Sequence, residues 1–298
     1  MSVAAEKPTS KLRGAVPWFK EIAVIGIVYV VYGFVRNQFG SANLRIGDEP
    51  VHAFHDAREV ISLEKAIGLF HEQTIQRWFL GTPWVEFFNI FYGTAHFVVT
   101  LGILIWLFLR RREQFGRWRT TLMVTTVLAL VGFALFPLMP PRLFNAYAHE
   151  CEQRNPAHPI CYRYGGGELA DQQGQPNYHF VDTLREVGGL WNFDSEKLDS
   201  VSNQYAAMPS LHIGWSTWCM LVLLRFGRRR VTKILAVAYP ILTLTVIVAT
   251  ANHFIIDAAG GLVIVATGYL VARLADRLRH VERAPEPQVS SHDVVLVD

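Results

Sequence analysis

Charged residues are scarce in this sequence, since Asp, Glu, Lys and Arg make up 18 % of its 298 residues, against about 25 % in soluble domains. Hydrophobic residues make up 51 %, and the mean hydropathy is +0.22. The apolar residues gather in runs close to the roughly 20 residues that cross a bilayer. This composition excludes an ordinary soluble protein and indicates an integral membrane protein.

Six hydrophobic runs predict an all-α integral membrane protein, a six-transmembrane helix bundle. A polar stretch precedes the first run and no small-residue cleavage site follows it, so we expect a span and not a signal peptide. The predicted spans run from Trp18 to Val35, Trp84 to Leu109, Thr120 to Leu138, Pro209 to Phe226, Val231 to Ala249 and His253 to Ala275. The chain then divides into a cytoplasmic N-terminus (1–17), a membrane domain (18–279) and a polar cytoplasmic tail (280–298).

Basic residues predict the orientation of the bundle. They cluster before the first span, in "RRREQFGRWR" between the second and third, in "RFGRRRVTK" between the fourth and fifth, and after the sixth. Alternating loops put all four clusters on one side, which the positive-inside rule makes cytoplasmic. We therefore expect both termini in the cytoplasm, a location in the plasma membrane, and no nucleic-acid partner for these arginines.

Two long segments, about residues 36–83 and 140–207, are expected outside the membrane. Apolar residues at helical spacing in the first segment predict amphipathic helices on the outer membrane surface; they are Phe54, Ala57, Val60, Ile61, Ile67, Phe70 and Ile75. Cysteine is scarce, with three residues in the chain. Cys151 and Cys161 lie in the second segment, where disulfides persist, and we expect them to be bridged. Cys219 lies within a predicted span and is expected to be buried and apolar in character.

Five polar or ionisable residues lie at the outer ends of three predicted spans. Arg142 follows the third span, Ser210 and His212 begin the fourth, and His253 and Asp257 begin the sixth. Such residues are costly in or beside a membrane, so each suggests a function. The predicted topology rests on the basic clusters elsewhere in the chain, and it places all five residues at the same depth in the membrane. The sequence therefore predicts one site at the outer face.

The spacing of these residues suits phosphoryl chemistry. His253 and Asp257 are four residues apart, so they share a helix face and the carboxylate can reach one imidazole nitrogen. That contact fixes the tautomer and supports the cation formed when the other nitrogen attacks. His212, on a separate span, can serve as a second acid or base. Arg142 can bind a phosphate bidentately, and Ser210 can donate its hydroxyl or cap its helix.

The stretches "PPR", "PSLH" and "HFIID" resemble the three motifs of the type-2 phosphatidic acid phosphatase superfamily, approximately K-x6-R-P, P-S-G-H and S-R-x5-H-x3-D. The resemblance covers about Glu64 to Gly261. It implies a six-helix membrane fold with the site at the outer face and a metal-independent mechanism without a cofactor. It also implies that His253 is the nucleophile that forms a phosphohistidine, His212 the general acid, Asp257 the residue that orients His253, and Arg142 a phosphate ligand.

The sequence departs from these motifs at three positions. Leu135 stands where the first motif has lysine, Ile247 where the third has arginine, and Leu211 where the second has glycine. Four residues are candidates for supplying the missing charge: Arg36, Arg58, Lys65 and His96. The "PPR" and "PSLH" variants are similar to the branch that contains inositol phosphorylceramide synthase, which passes a phosphoinositol head group between lipids.

We therefore predict a membrane-embedded enzyme that cleaves a phosphate ester or anhydride of a lipid through a phosphohistidine. Its partners are a lipid phosphate substrate and, for a phosphotransferase, an alcohol or lipid acceptor. A simple phosphatase acting on a lipid or polyprenyl (pyro)phosphate is the alternative. A lipid transporter or scramblase from the same bundle would need charged residues through the middle of the spans, whereas here they gather at the ends.

Two further groups of residues leave alternatives open. Asn89, Tyr92 and His96 recur at intervals of three and four residues, and this polar stripe is either substrate-binding or a set of interhelical hydrogen bonds. His212, His253 and Asp257 together could also hold zinc, for which three protein ligands suffice in catalysis.

Overall fold

A computed structural model describes residues 49–144, 178–189 and 205–282, together with the helical Gly26. In chain order the helices of these ranges are α1 Glu49–Ala66, α2 Glu72–Phe79, α3 Trp84–Arg110, α4 Arg112–Leu135, α5 Thr183–Glu186, α6 Leu211–Phe226, α7 Arg230–Ala249 and α8 Ile255–Glu282. A 3₁₀ turn covers Pro141–Leu143. The described ranges contain no β-sheet, so the all-helical prediction is confirmed for them.

Four of the helices are long and apolar enough to cross a membrane, namely α3, α4, α7 and residues Ile255–Leu278 of α8. Helix α6 is apolar but has only 16 residues. These five helices match five of the six predicted spans. The other predicted span, over residues 18–35, lies outside the described residues apart from Gly26, as do Cys151 and Cys161 of the expected disulfide. Cys219 is fully buried, as predicted.

The bundle packs closely where α8 crosses α4. A Cβ on Gly268 would lie 2.8 Å from the Thr121 carbonyl oxygen and 2.7 Å from the Thr125 hydroxyl. Small residues at such crossings let two backbones approach, which favours helix association in membranes. An ion pair between Arg117 and Asp276 joins the same two helices nearer the ends where α4 begins and α8 finishes.

The arginine-rich loops lie together at one end of the bundle. A cavity of about 660 Å³ is lined by residues of both loops, including Arg110, Arg112, Arg225 and Arg228. Helix α6, about 24 Å long at 1.5 Å per residue, separates this end from Ser210. The shared side that was predicted for these two basic clusters is therefore present in the structure.

Helix α1 contributes to the protein core at the opposite end. Phe54, Ala57, Val60 and Ile61 are buried as their spacing predicted, and they form one cluster with Leu138, Met139, Leu143, Phe144, Phe180, Tyr205, Ala207, Ala251 and Phe254. Ile67 is 55 % exposed, because α1 ends at Ala66. The apolar face of α1 packs on the loops that carry the site, and the position of this helix on the outer membrane surface stays a prediction.

Candidate active site

The centre of the site is the short connection between α7 and α8. The His253 Nδ1 atom lies 3.1 Å from Asp257 Oδ2, and the same oxygen accepts a hydrogen bond from the Phe254 amide at 3.0 Å. The His253 amide donates to the Ile247 carbonyl. His253 is 2 % exposed and Asp257 is fully buried. The predicted four-residue pair is therefore formed.

The start of α6 is bound directly to the first turn of α8. The Ser210 amide donates to the Asp257 carbonyl at 3.0 Å, while the Ser210 hydroxyl caps α6 by accepting from the Ile213 amide at 3.5 Å. A Cβ on Gly261 would lie 2.5 Å from the Ser210 carbonyl oxygen. Glycine at this position is required for the two helices to come this close. The structure thus gives Ser210 the capping contact that was one of its two predicted roles.

The ring of His212 faces that of His253 across this junction. Their centroids are 5.5 Å apart at an interplanar angle of 71°. Tyr92 of α3 stacks on the other side of His212 at 4.5 Å. The Nε2 atom of His212 is buried and has no hydrogen-bond partner among the described residues. His212 at the start of α6 and His253 before α8 therefore face each other, and His212 has a ring nitrogen without a partner among the described residues.

Arg142 lies beside the same pair. Its amide donates to the Ala251 carbonyl at 2.9 Å, and its charge is close enough to act on the His253 ring. One terminal nitrogen donates to Asp182 Oδ2 at 2.8 Å, and Asp182 also caps α5. The Nε atom of Arg142 is buried with no hydrogen-bond partner in the described ranges. Asp182 therefore orients the guanidinium while other donors remain for an anion.

The predicted polar stripe of α3 divides into two parts. The side-chain Nδ2 of Asn89 donates to the carbonyls of Thr183 and Gly188, and its Oδ1 accepts from the Thr183 hydroxyl. These bonds hold segment 178–189 on α3, so the structure gives Asn89 a structural contact. Tyr92 and His96 lie at the reacting end, since the His96 ring is 4.4 Å from that of His212.

Leu135 and Ile247 stand where the family motifs have lysine and arginine, so these two positions supply no positive charge to the site. Leu135 is 79 % exposed at the end of α4, and Ile247 is buried. Among the four candidate replacements, His96 lies beside His212. Lys65 is exposed and lies over the ring of Phe70 at 5.2 Å. Arg36 lies outside the described residues.

Within the described ranges, the ligand-type side chains that come close enough to share a metal ion are His55, Asp56 and Glu59, on the outer side of α1. His212, His253 and Asp257 do not form such a group. The rings of His212 and His253 meet edge to face.

Two residues at the site were not identified from the sequence. Glu72 Oε1 accepts from the Ile255 amide at 2.9 Å, and Glu64 Oε1 accepts from the Ile256 amide at 2.8 Å. Both carboxyl groups are fully buried. Burial and a hydrogen bond with Glu72 raise the pKa of Glu64 to about 9. One signal was available, because Glu64 follows Ala57, Val60 and Ile61 on the apolar face of α1, where a carboxyl group requires a partner.

A family model described as the PAP2 superfamily matches residues 58–271. The match extends from α1 into α8 and includes every site residue described above. Neither the curated proteins nor the solved structures give a significant match.

Proposed function

Because the chain belongs to the PAP2 superfamily, we propose that it cleaves a phosphate ester or anhydride of a membrane lipid through a phosphohistidine on His253. Membership supports a phosphatase-type activity on lipid phosphates. The observation that carries the finer proposal is the position of His253, with Asp257 on one ring nitrogen and His212 facing the ring. We place this site at the outer face of the plasma membrane, opposite the arginine-rich end.

In the first step, Nε2 of His253 attacks phosphorus in line. The N–P bond forms as the P–O bond to the leaving group breaks, and His212 gives its proton to the departing oxygen. Asp257 stabilises the imidazolium that develops on His253, as a carboxylate does in a catalytic triad. In the second step an acceptor oxygen attacks phosphorus, His212 takes its proton, and the N–P bond breaks.

Negative charge on the transferred phosphoryl group is balanced by fixed donors. Arg142 supplies the guanidinium nitrogens that Asp182 does not use. The start of α6 supplies first-turn amides, because the Ser210 cap satisfies only one of the unpaired donors of a helix start. Such preorganised donors stabilise charge as it develops in the transition state. His96 and Tyr92 then form the wall beside the leaving group.

The acceptor is water in a phosphatase and an alcohol in a phosphotransferase. Transfer, including transfer of a phosphoinositol head group, is supported by the "PPR" and "PSLH" variants. Leu211 of "PSLH" is itself buried against Ala129, Leu130 and Phe133. Its direct effect is on the packing of α6.

Radiolabelled dioctanoyl phosphatidic acid and a polyprenyl phosphate, offered to the purified protein in detergent, test the proposal. We expect acid-labile, base-stable label on the wild-type protein and none on His253→Ala. Added glycerol or inositol would carry label away in a transferase, whereas inorganic phosphate alone would indicate a phosphatase. Label that persists in His253→Ala would contradict the nucleophile assignment. Activity lost to a chelator and restored by zinc would favour a metal site instead.

A further inference from the structure

Three carboxyl groups accept hydrogen bonds from three successive backbone amides at the start of α8. Asp257 accepts from Phe254, Glu72 from Ile255 and Glu64 from Ile256. The first amides of a helix lack partners within the helix. A cap normally comes from a residue beside the helix start, but two of these come from α1 and α2, 192 and 183 residues away in sequence.

The two glutamates also contact each other. Besides burial, the neighbouring carboxyl group of Glu72 raises the pKa of Glu64, and two buried carboxyl groups this close are stable together when one of them carries a proton. The remaining oxygen of each, Oε2, is buried and has no hydrogen-bond partner among the described residues, so it is available for a shared proton. The ionisable groups that face Glu64 are Glu72 from α2 and Asp257 from α8. The neighbouring Lys65 is exposed and lies over Phe70.

We infer that Glu64 and Glu72 are positioning residues for His253, a carboxyl pair that shares one proton and clamps the start of α8. This inference rests on the proposed phosphohistidine chemistry for its catalytic consequence. The clamp holds the amides of Ile255 and Ile256, which directly follow the His253–Phe254 segment. It thereby sets the direction in which the His253 ring leaves the backbone. It also makes the outer helices α1 and α2 part of the active site's support.

The shared proton explains how two carboxyl groups can be buried together beside Asp257. Two carboxylates would repel each other, whereas a protonated pair carries one charge and keeps both Oε1 atoms available to the helix start. The single charge lies where the helix dipole favours an anion. Loss of the proton would put two charges in this buried position and push the glutamates apart.

Matched substitutions separate geometry from charge. Glu64→Gln keeps an oxygen for the Ile256 amide and an N–H for Glu72. Glu64→Asp keeps the charge but draws the carboxyl group back by one methylene, and Glu64→Ala removes the acceptor. We expect Asp and Ala to lower kcat about 10- to 100-fold with little change in KM, since misplacement by about 1 Å can cost that much. The Glu64→Gln variant is expected to keep most of the wild-type kcat.

The same series at Glu72 should behave alike, with Glu59 as the control position. Glu59 lies on α1 with its carboxyl group 65 % exposed. Glu59→Gln, Glu59→Asp and Glu59→Ala should therefore have wild-type kcat. Equal activity of Gln and Ala at Glu64, or Asp more active than Gln, would overturn the positioning role. If the Ala variants do not fold, the comparison of the Asp variant with the Gln variant still tests the positioning role.

A pH profile gives a readout that a purely structural contact would not change. Wild-type kcat should fall above about pH 9, where the pair loses its proton. Glu64→Gln cannot lose it and should keep its activity to higher pH. Titration of His253, His212 and Asp257 is common to both proteins, so the difference isolates Glu64. Identical alkaline limbs would rule out the shared proton.

The clamp can be tested separately from the reaction. If the wild-type protein forms no phosphohistidine with either labelled probe, the proposed function fails. Amide hydrogen exchange at residues 254–256 still reports the clamp, and we expect faster exchange in Glu64→Ala and Glu72→Ala but not in Glu59→Ala. Unchanged exchange in both glutamate variants would refute the clamp whatever the enzyme does.

Discussion

At the scale of single residues, His253 depends on contacts from four separate segments. Asp257 holds one ring nitrogen, Arg142 adds charge from the turn after α4, and Glu64 and Glu72 hold the adjacent helix start. The i,i+4 contact with Asp257 is local and was predictable from spacing. The contacts of the glutamates connect distant segments and became visible only in the fold.

Replacing Asp257 by Asn should lower kcat by roughly 10²- to 10⁴-fold, because an amide no longer stabilises the imidazolium and can favour the wrong tautomer. KM should change little, since Asp257 is fully buried and lies on the Nδ1 side of the His253 ring. Steady-state kinetics on a labelled lipid phosphate measure both values. A rise in KM with unchanged kcat would show that Asp257 acts in binding.

Replacing Arg142 by Lys should lower kcat/KM about 10- to 100-fold, because a lysine cannot bind Asp182 and a phosphate with a planar fork. Asp182→Asn removes the charge that orients the guanidinium and should have a smaller effect in the same direction. Inhibition by inorganic phosphate or vanadate, measured beside turnover, checks the binding component. Wild-type inhibition in Arg142→Lys would contradict the assignment of Arg142 as a phosphate ligand.

Glu64 should make the stability of the fold depend on pH. Its pKa is raised from an ordinary value of 4.5 to about 9, so between these values the folded protein binds more protons than the unfolded one. The free energy of unfolding therefore falls as pH rises through this window, by up to about 1.4 kcal/mol per pH unit. Glu64→Gln should lose this slope, whereas Glu59→Gln should keep it. Thermal melting in detergent from pH 5 to 9 tests the difference, and parallel curves for all three proteins would contradict it.

At the scale of elements, the site depends on how closely α6 and α8 approach. Gly261 lets the first turn of α8 reach the Ser210 carbonyl, and the Ser210 amide completes the contact with Asp257. This packing brings His212 opposite His253. A Cβ on the neighbouring Gly260 would lie 3.0 Å from the Pro209 Cβ, so both glycines allow the close packing of the two helices.

Gly261→Ala should destabilise the protein and reduce activity, because the new Cβ would lie 2.5 Å from a backbone oxygen. Overpacking of this kind costs about 1–3 kcal/mol. Gly102→Ala on α3 is the matched control, since a Cβ there meets nothing within 4 Å and alanine favours a helix by about 1 kcal/mol over glycine. We expect a lower melting temperature for the first variant and an equal or higher one for the second. The reverse order would show that α6 and α8 can separate without cost.

At the scale of the whole molecule, the site and the basic loops occupy opposite ends of one bundle. The loops after α3 and α6 share a cavity lined by arginines, while α1, α2 and segment 178–189 cover the other end. The positive-inside rule assigns the basic end to the cytoplasm. The proposed enzyme would then act on the outer leaflet.

Cysteine labelling tests this orientation. In a parent with Cys151 and Cys161 replaced by serine, Glu59→Cys should react with an impermeant maleimide on intact cells. Arg228→Cys should react only after the membrane is opened. Both side chains are exposed, and Cys219 is buried, so background labelling should be low. Labelling of Arg228→Cys on intact cells would reverse the topology and place the site in the cytoplasm.

The sequence by itself determined the features that depend on local order along the chain. Apolar runs of sufficient length predicted the four helices that are long enough to cross a membrane, although α4 begins eight residues before the predicted span. Their basic loops predicted a shared end, and four-residue spacing predicted the pairing of His253 with Asp257. Side-chain hydropathy and helical periodicity are properties of neighbouring residues, so they can be read without coordinates.

Only the tertiary structure decided which distant residues meet. It assigned Asn89 to holding segment 178–189, paired Arg142 with Asp182, and placed Glu64 and Glu72 at the start of α8. These contacts join segments that are 40 to 192 residues apart. The partner of a buried carboxyl group is set by how helices pack and not by its neighbours in sequence. For that reason the contacts of Glu64 and Glu72 with the start of α8 follow from the packing of α1 and α2 on the site.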